Sequence, residues 1–357
     1  MKAYLILSDG TVFCGESIGS EKTVICEAVF NTSMTGYIEV LTDPSYAGQG
    51  VLMTYPLIGN YGVTPDMESD RAWASGYIVR ELSRLPSNFR CTGRIQDFLK
   101  EQDVPGIAGI DTRRLTKILR DKGTQNCMIT TDEAIAKDVS KVLDEIKAYR
   151  VGDVVKRVSV EKKQVLPGPG KKVALLDLGA KRHIHIELNK RGCEVTIYPA
   201  FTKAEEIIAS HPDGIMLTNG PGDPKEVPEI IEEIKKLYDS GIPIFAICLG
   251  HQLMALATGA DTHKLKYGHR GGNHPVKDLK TGHVYITSQN HGYVVDEATL
   301  DPSIAESAYV NVNDGTNEGI IYKKKNVVTV QFHPEACPGP HDSDDLFFNR
   351  FLNMMGA

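Results

Sequence analysis

From Val173 onward the chain alternates short apolar runs with amphipathic stretches, and no other feature constrains its fold as tightly. Residues 173–178, 194–198, 214–217 and 243–247 read as strands, each too short and too apolar to be a surface helix. Residues 183–190, 203–210 and 228–238 read as helices, the last with Ile230, Ile231, Ile234 and Leu237 turned inward. Strand–helix alternation of this kind predicts an α/β domain whose mostly parallel sheet carries helices on both faces. In such sheets ligands bind beyond the carboxyl ends of the strands.

The first part of the chain has a different texture. Residues 3–7 and 11–14 flank Asp9-Gly10, a hairpin turn signal, and residues 24–30 read as another strand. The stretch NTSMTGYIEVLTDPSYAGQGVLMTYPLIGNYGV packs several turns into few residues. Asp111 is placed to cap a helix running to residue 122, and residues 131–149 read as a second amphipathic helix with Ile135, Val139, Val142, Leu143 and Ile146 in phase. These features predict a strand- and turn-rich α+β domain over residues 1–150. Residues 151–172, with a charge cluster followed by Pro-Gly-Pro-Gly, read as a linker, and 173–357 as the second domain. All eleven histidines lie at or after His183, so histidine chemistry belongs to the second domain.

Composition excludes several function classes. The formal charge of −6 offers no basic surface for nucleic acid or anionic lipid. The N-terminal apolar run is too short for a signal peptide, and no window approaches the length of a membrane helix, so a cytoplasmic protein is expected. The seven cysteines stand singly with no CxxC, which argues against a disulfide framework or a metal knuckle. His183 and His185 fall in a predicted helix, where positions two apart do not share a face, so no metal site is expected there.

One stretch, AICLGHQ at residues 246–252, places Cys248 at the switch from a strand to a helix. A strand–turn–helix corner can expose a nucleophile above the sheet edge, with helix N–H groups favouring thiolate and a developing oxyanion. On this context alone two readings stand, a nucleophile and a buried core cysteine. A nucleophile needs a base oriented by a third group. His251 is close in sequence but lies down the helix. The better base is His333, 85 residues on, which follows the β-branched run 327–332. Pro334 biases His333 to extended backbone, and Glu335, two residues on, projects the same way and can accept from the imidazole. TNGPGDP at 218–224 ends another strand, without the spacing of a phosphate-binding loop. HRGGNHPV and SQNHGYVV read as further polar turns.

NGPGDP (219–224), ICLGHQ (247–252) and FHPEA (332–336) together resemble the class I, triad-type glutamine amidotransferases. Motifs elsewhere, FNTSMTGYIEVLTDPSY (30–46), YPLIGNYGV (55–63), GIDTRRLTKILR (109–120), DLGAK (177–181), GGNHP (271–275) and SQNHGY (288–293), make the whole chain similar to the small, glutamine-hydrolysing subunits of carbamoyl-phosphate synthases. The resemblance implies attack of Cys248 on the glutamine side-chain amide, His333 as base and acid, Glu335 orienting it, and a γ-glutamyl thioester hydrolysed to glutamate. It implies an oxyanion site from backbone groups of Leu249 and residues 220–222. It further implies L-glutamine contacts from Ser45, Gly220, Gly222, Leu249, Gln252, Asn290, Gly292 and Tyr293. Ammonia would pass to a large synthetase subunit that uses ATP and Mg2+ to make carbamoyl phosphate for arginine and pyrimidine synthesis, with no cofactor in this chain. Ala246 and Tyr293 stand where the family usually has glycine and often phenylalanine. The intact Cys, His and Glu argue against a silent scaffold.

Overall fold

Across the Asp9-Gly10 turn, Lys2–Leu7 (β1) pairs antiparallel with Val12–Ser17 (β2), and Gly10 takes the positive φ of 84° that such a turn favours in glycine. The computed structural model describes residues 1–341 and 343–356, so the predicted range 173–357 includes two residues, Asp342 and Ala357, that lie outside the described ones. The chain divides into two compact units, Met1–Gly152 and Asp153–Ala357.

In the first unit the strands continue with Val24–Asn31 (β3), Gln49–Met53 (β4), Leu57–Ile58 (β5), Gly76–Ile78 (β6), Glu81–Leu82 (β7), Gly106–Ala108 (β8) and Gln125–Thr130 (β9). They close into a barrel in the order β1-β2-β8-β6-β4-β3-β9, while β5 and β7 form a separate pair. Helix Thr112–Lys122 begins at Asp111, whose side chain accepts from the Arg114 N–H at 2.9 Å, as expected of an N-cap. Its Leu115 and Leu119 pack with Leu5, Leu52 and Ile107 of the barrel. The single helix expected over 131–149 is instead three short pieces, Glu133–Lys137, Val139–Lys141 and Leu143–Ala148. Asp138 breaks it, with φ −137° and a carboxylate that accepts from the Ser140 hydroxyl, a local bond that competes with the helix ladder. The apolar phase nevertheless holds, because Val142 and Ile146 pack on Ile6 and Met128.

The second unit carries a ten-stranded sheet. Its strands are Gln164–Leu166 (β10), Lys172–Asp177 (β11), Glu194–Pro199 (β12), Gly214–Leu217 (β13), Ile244–Ile247 (β14), Asp261–Asp278 (β15), Val284–Asp296 (β16), Ala305–Asn311 (β17), Asn317–Tyr322 (β18) and Val327–Val330 (β19). The order is β10-β12-β11-β13-β14-β19-β18-β17-β15-β16, with β12-β11-β13-β14-β19 parallel. Ala174, Leu176, Leu217 and Ala246 meet helices Pro228–Asp239 and Leu249–Ala257 on one face. Val173, Leu175, Met216 and Phe245 meet helices Arg182–Lys190 and Asp344–Met354 on the other. Burial on both faces is why these strands read as unbroken apolar runs.

Two expectations are corrected here. Residues 151–172 are not a free linker, because Val154–Val158 is helical and β10 pairs antiparallel with β12. The glycines of the Pro-Gly-Pro-Gly stretch let backbone approach backbone, and the Gly170 N–H donates to Gly192 O at 2.8 Å. HRGGNHPV and SQNHGYVV are not turns but parts of the long paired strands β15 and β16. Register shifts on either side of His269–Gly271 interrupt the alternation that would have marked them as strands. Among the described residues no helix is long and apolar enough to cross a membrane.

Helix Leu249–Ala257 lies hard against β13. A Cβ added at Gly250 would stand 2.6 Å from Leu217 O and 2.7 Å from Leu217 Cβ. Gly250→Ala should therefore push the helix off the sheet and lower the unfolding free energy by about 1–3 kcal/mol, read as a fall in the denaturant midpoint at unchanged slope.

Candidate active site

The end of β14 turns abruptly into helix Leu249–Ala257, and Cys248 is the corner residue, with φ 52° and ψ −104°. A non-glycine residue at this positive φ costs about 1–3 kcal/mol and persists only where its surroundings over-determine it. Here they do. The Cys248 N–H donates to Val330 O at 2.9 Å and its C=O accepts from the Gln252 N–H at 3.1 Å, while the Gly250 N–H donates to Thr218 O at 3.0 Å. The thiol lies 3.7 Å from Asn290 O as a donor. Leu249 begins the helix, so its N–H has no intrahelical acceptor and lies beside the sulfur in sequence.

Next to β14 in the sheet runs β19, with Ile247 opposite Val330. Three residues beyond β19, the His333 N–H donates to Ser288 O at 2.9 Å, tying it to β16. His333 Nδ1 and Glu335 Oε1 are 2.7 Å apart, both side chains buried, but the backbone that brings them together is a turn closed by the Ala336 N–H on His333 O at 3.1 Å rather than the extended geometry expected. In the neutral ring, with Nδ1–H on the carboxylate, Nε2 carries the lone pair. That nitrogen is buried with no partner of hydrogen-bond geometry, yet the thiol is near enough to act on the ring's charge. Burial alone would push the imidazole pKa down. The Glu335 carboxylate and the neighbouring thiol outweigh it, holding His333 above its ordinary range. Burial would likewise raise the Glu335 pKa, but Lys181 and His333 hold it below the usual carboxylate range.

Lys181 is the buried charge beside this pair that pattern reading missed. It stands in DLGAK after β11, is 2 % exposed, and places Nζ 3.1 Å from Glu335 Oε1 while donating to Ala336 O. A buried lysine needs a buried acid, but nothing in local spacing tells which acid, 154 positions away, receives it. The Lys181 N–H is held by Asn219 Oδ1 at 3.0 Å, and the Asn219 amide donates to Gly179 O at 3.0 Å. The 218–222 loop is thereby fastened to the β11 corner. Gly220 admits no side chain, since a Cβ would meet Leu178 O at 2.2 Å and Leu249 Cδ2 at 2.8 Å. Gly222 takes φ 93°.

Other predicted residues sort clearly. Gln252 reaches across to β16, its amide donating to Tyr293 O at 2.9 Å and to Gln331 Oε1 at 3.0 Å. Asn290, Gly292 and Tyr293 follow one another on β16, so Cys248, Gly220, Leu249, Gln252 and residues 290–293 form one neighbourhood. Ser45 belongs to the first unit, buried in the turn Pro44–Tyr46, where its N–H donates to Asp43 Oδ1. His251 is no base for the thiol. Its Nδ1 meets Thr329 Oγ1 at 2.8 Å and burial lowers its pKa to about 3. Ala246, fully buried in β14, uses its methyl group as core packing.

Residues 5–129 match the family described as "Carbamoyl-phosphate synthase small chain, CPSase domain", and residues 174–354 match "Glutamine amidotransferase class-I". The chain is similar to the carbamoyl phosphate synthase small chain of Listeria innocua, at 51% identity over all of this chain and 97% of that one. It is 52% identical to the Bacillus cereus small chain over 99% of this chain and 96% of that one. A solved structure of a glutamine amidotransferase from Thermotoga maritima aligns with TM-score 0.38 and 20% identity, covering 46% of this chain and 76% of that one. On the full-length likeness to the small chains, this protein belongs to the carbamoyl-phosphate synthase small-chain family.

Proposed function

We propose that Cys248, His333 and Glu335 hydrolyse L-glutamine through a γ-glutamyl thioester. The observation that carries this reading is the 2.7 Å His333–Glu335 pair, whose other imidazole nitrogen is left for a thiol held at a strained strand–helix corner. As a member of its family the chain is an enzyme subunit that hydrolyses glutamine and supplies ammonia to a large synthetase subunit, where the ATP and Mg2+ chemistry lies.

In the proposed sequence His333 Nε2 takes the Cys248 proton to form an imidazolium–thiolate pair, which the raised imidazole pKa favours, and the sulfur then attacks the side-chain amide carbon. The imidazolium then gives that proton to the departing ammonia. Glu335 fixes the tautomer and, with Lys181 behind it, keeps its own charge when the ring becomes positive. The Leu249 N–H and the backbone of residues 220–222 are assigned to the oxyanion, a role that side-chain-free Gly220 permits by letting backbone approach. Gln252, Asn290, Gly292 and Tyr293 are assigned to the polar ends of glutamine. Water then attacks the thioester, with His333 as base, and releases glutamate. The first unit is assigned to contact with the large subunit, in a cytoplasmic heterodimer.

Glutamine-dependent and ammonia-dependent carbamoyl phosphate formation, measured on this chain mixed with its large subunit, test the reading. Cys248→Ser should reduce the glutamine-dependent rate by about 10³-fold or more and leave the ammonia-dependent rate unchanged. Equal loss of both rates, or none, contradicts the assignment. Lys181→Met should remove the cation that holds Glu335 ionised, so the carboxylate pKa rises and the acid limb of the glutaminase pH–rate profile moves to higher pH. An unmoved acid limb would show that Lys181 does not act through Glu335.

A further inference from the structure

Behind the 290–293 segment lies a buried cluster of ionisable groups that the mechanism does not use. His269 of β15 stands directly opposite His291 of β16, and Arg270 opposite Asn290. His269 Nε2 meets Asp314 Oδ2 at 2.8 Å, and its Nδ1 lies 3.6 Å from Glu318 Oε1, a carboxylate with a fully buried side chain. Glu318 also accepts from the Asn311 amide at 2.9 Å. The His269 ring meets that of His291 edge-on, with centroids 5.0 Å apart, and lies 5.4 Å from that of His274. His291 in turn spans Gln289 Oε1 at 3.0 Å and Tyr293 O at 2.8 Å. Tyr293 O is the same carbonyl that receives the Gln252 amide.

A continuous line of contacts therefore runs from two acids on the β17–β18 side to the backbone assigned to glutamine. We propose that the buried His269–Glu318 pair is a positioning device that fixes residues 290–293 of β16 and thereby sets the affinity for glutamine. The inference rests on the assignment of that segment to the substrate.

Charge explains why the pair matters. Burial alone would push the His269 pKa down, but Asp314 and Glu318 outweigh it and raise it to about 9. The groups facing His269 are Asp314 and Glu318 from the β17–β18 side, His274 and Arg270 from β15, and His291 from β16. Burial, with the His269 charge added, lowers the pKa of both His274 and His291. A neutral His291 offers one donor and one acceptor. His291 Nδ1 meets Tyr293 O at 2.8 Å and Nε2 meets Gln289 Oε1 at 3.0 Å, so the ring bridges the two across β16. The positive charge on His269 keeps the adjacent His291 ring neutral.

His269, His291 and Glu318 also bring one ligand-type atom each within 4.8 Å of one another. A cation does not suit them, because both His291 nitrogens are engaged and His269 is clasped by two carboxylates.

His269 carries its charge below its folded pKa and loses it as pH rises through about 9, so its hold on β16 is complete at neutral pH and fails in the alkaline range. The test uses the full chain paired with its large subunit. Glu318→Gln and His269→Asn should each raise KM for glutamine about tenfold or more, with kcat changed less than about threefold. The ammonia-dependent rate should not move. In Glu318→Gln the alkaline rise in KM should begin at lower pH than in the natural chain. That comparison cancels the titration of the glutamine amine. Should these variants fail to fold, Asp314→Asn, at a partly exposed carboxylate, should give a smaller rise in KM in the same direction.

A wild-type KM in all soluble variants, or equal losses in kcat and KM across them, overturns the inference while leaving the triad reading intact. So does stoichiometric zinc in the purified protein that Glu318→Gln abolishes. Failure of the triad reading is distinguished by a natural chain whose glutaminase rate equals that of Cys248→Ser.

Discussion

The parallel pairing of β14 with β19 is the contact on which the site depends. It sets Ile247 opposite Val330, ties the Cys248 N–H to Val330 O, and so delivers the thiol and the His-Pro-Glu turn to one end of the sheet. Parallel neighbours end together, and two strand ends meeting beyond the carboxyl edge is what makes that edge a place for chemistry. The flanking core makes the pairing rigid. Phe245 and Ile247 are buried on one face and Ile244 and Ala246 on the other, so neither strand can slip by one residue without turning its whole apolar set around.

Around that pairing the protein concentrates its unfavourable features. A cysteine at positive φ, a lysine at 2 % exposure and a histidine–glutamate pair with no access to water all sit within one neighbourhood. Each is costly alone, and together they compensate one another. The lysine neutralises the carboxylate and the carboxylate stabilises the imidazolium, while backbone hydrogen bonds hold the strained corner. The same arrangement gives a proton acceptor its direction before any substrate arrives, which is the electrostatic preorganisation that catalysis needs. The His269 cluster repeats the device a layer further out, with a buried imidazole charged by two acids and steadying the strand that borders the thiol.

Much of this was legible before folding was considered. Strands buried on both faces announce themselves as apolar runs, and the cysteine at a strand–helix switch and the His-Pro-Glu end of a β-branched run mark local geometry that needs no long-range information. What stayed hidden did so for physical reasons. The register shifts of β15 hid two long strands behind glycines and histidines, Asp138 broke a helix whose apolar phase was intact, and β10 recruited a Pro-Gly stretch to the sheet edge.

The sequence by itself determined the parallel strands of the second unit and the three groups proposed for catalysis, because periodicity and short motifs depend on neighbours within a few residues. Only the tertiary structure decided which partners those groups received. His251, three residues from the thiol, goes to Thr329, whereas Lys181 reaches Glu335 and His269 reaches Glu318. Pairing of buried charges is settled by which strands lie side by side, and the low dielectric between them makes each such meeting a strong interaction that no local pattern records.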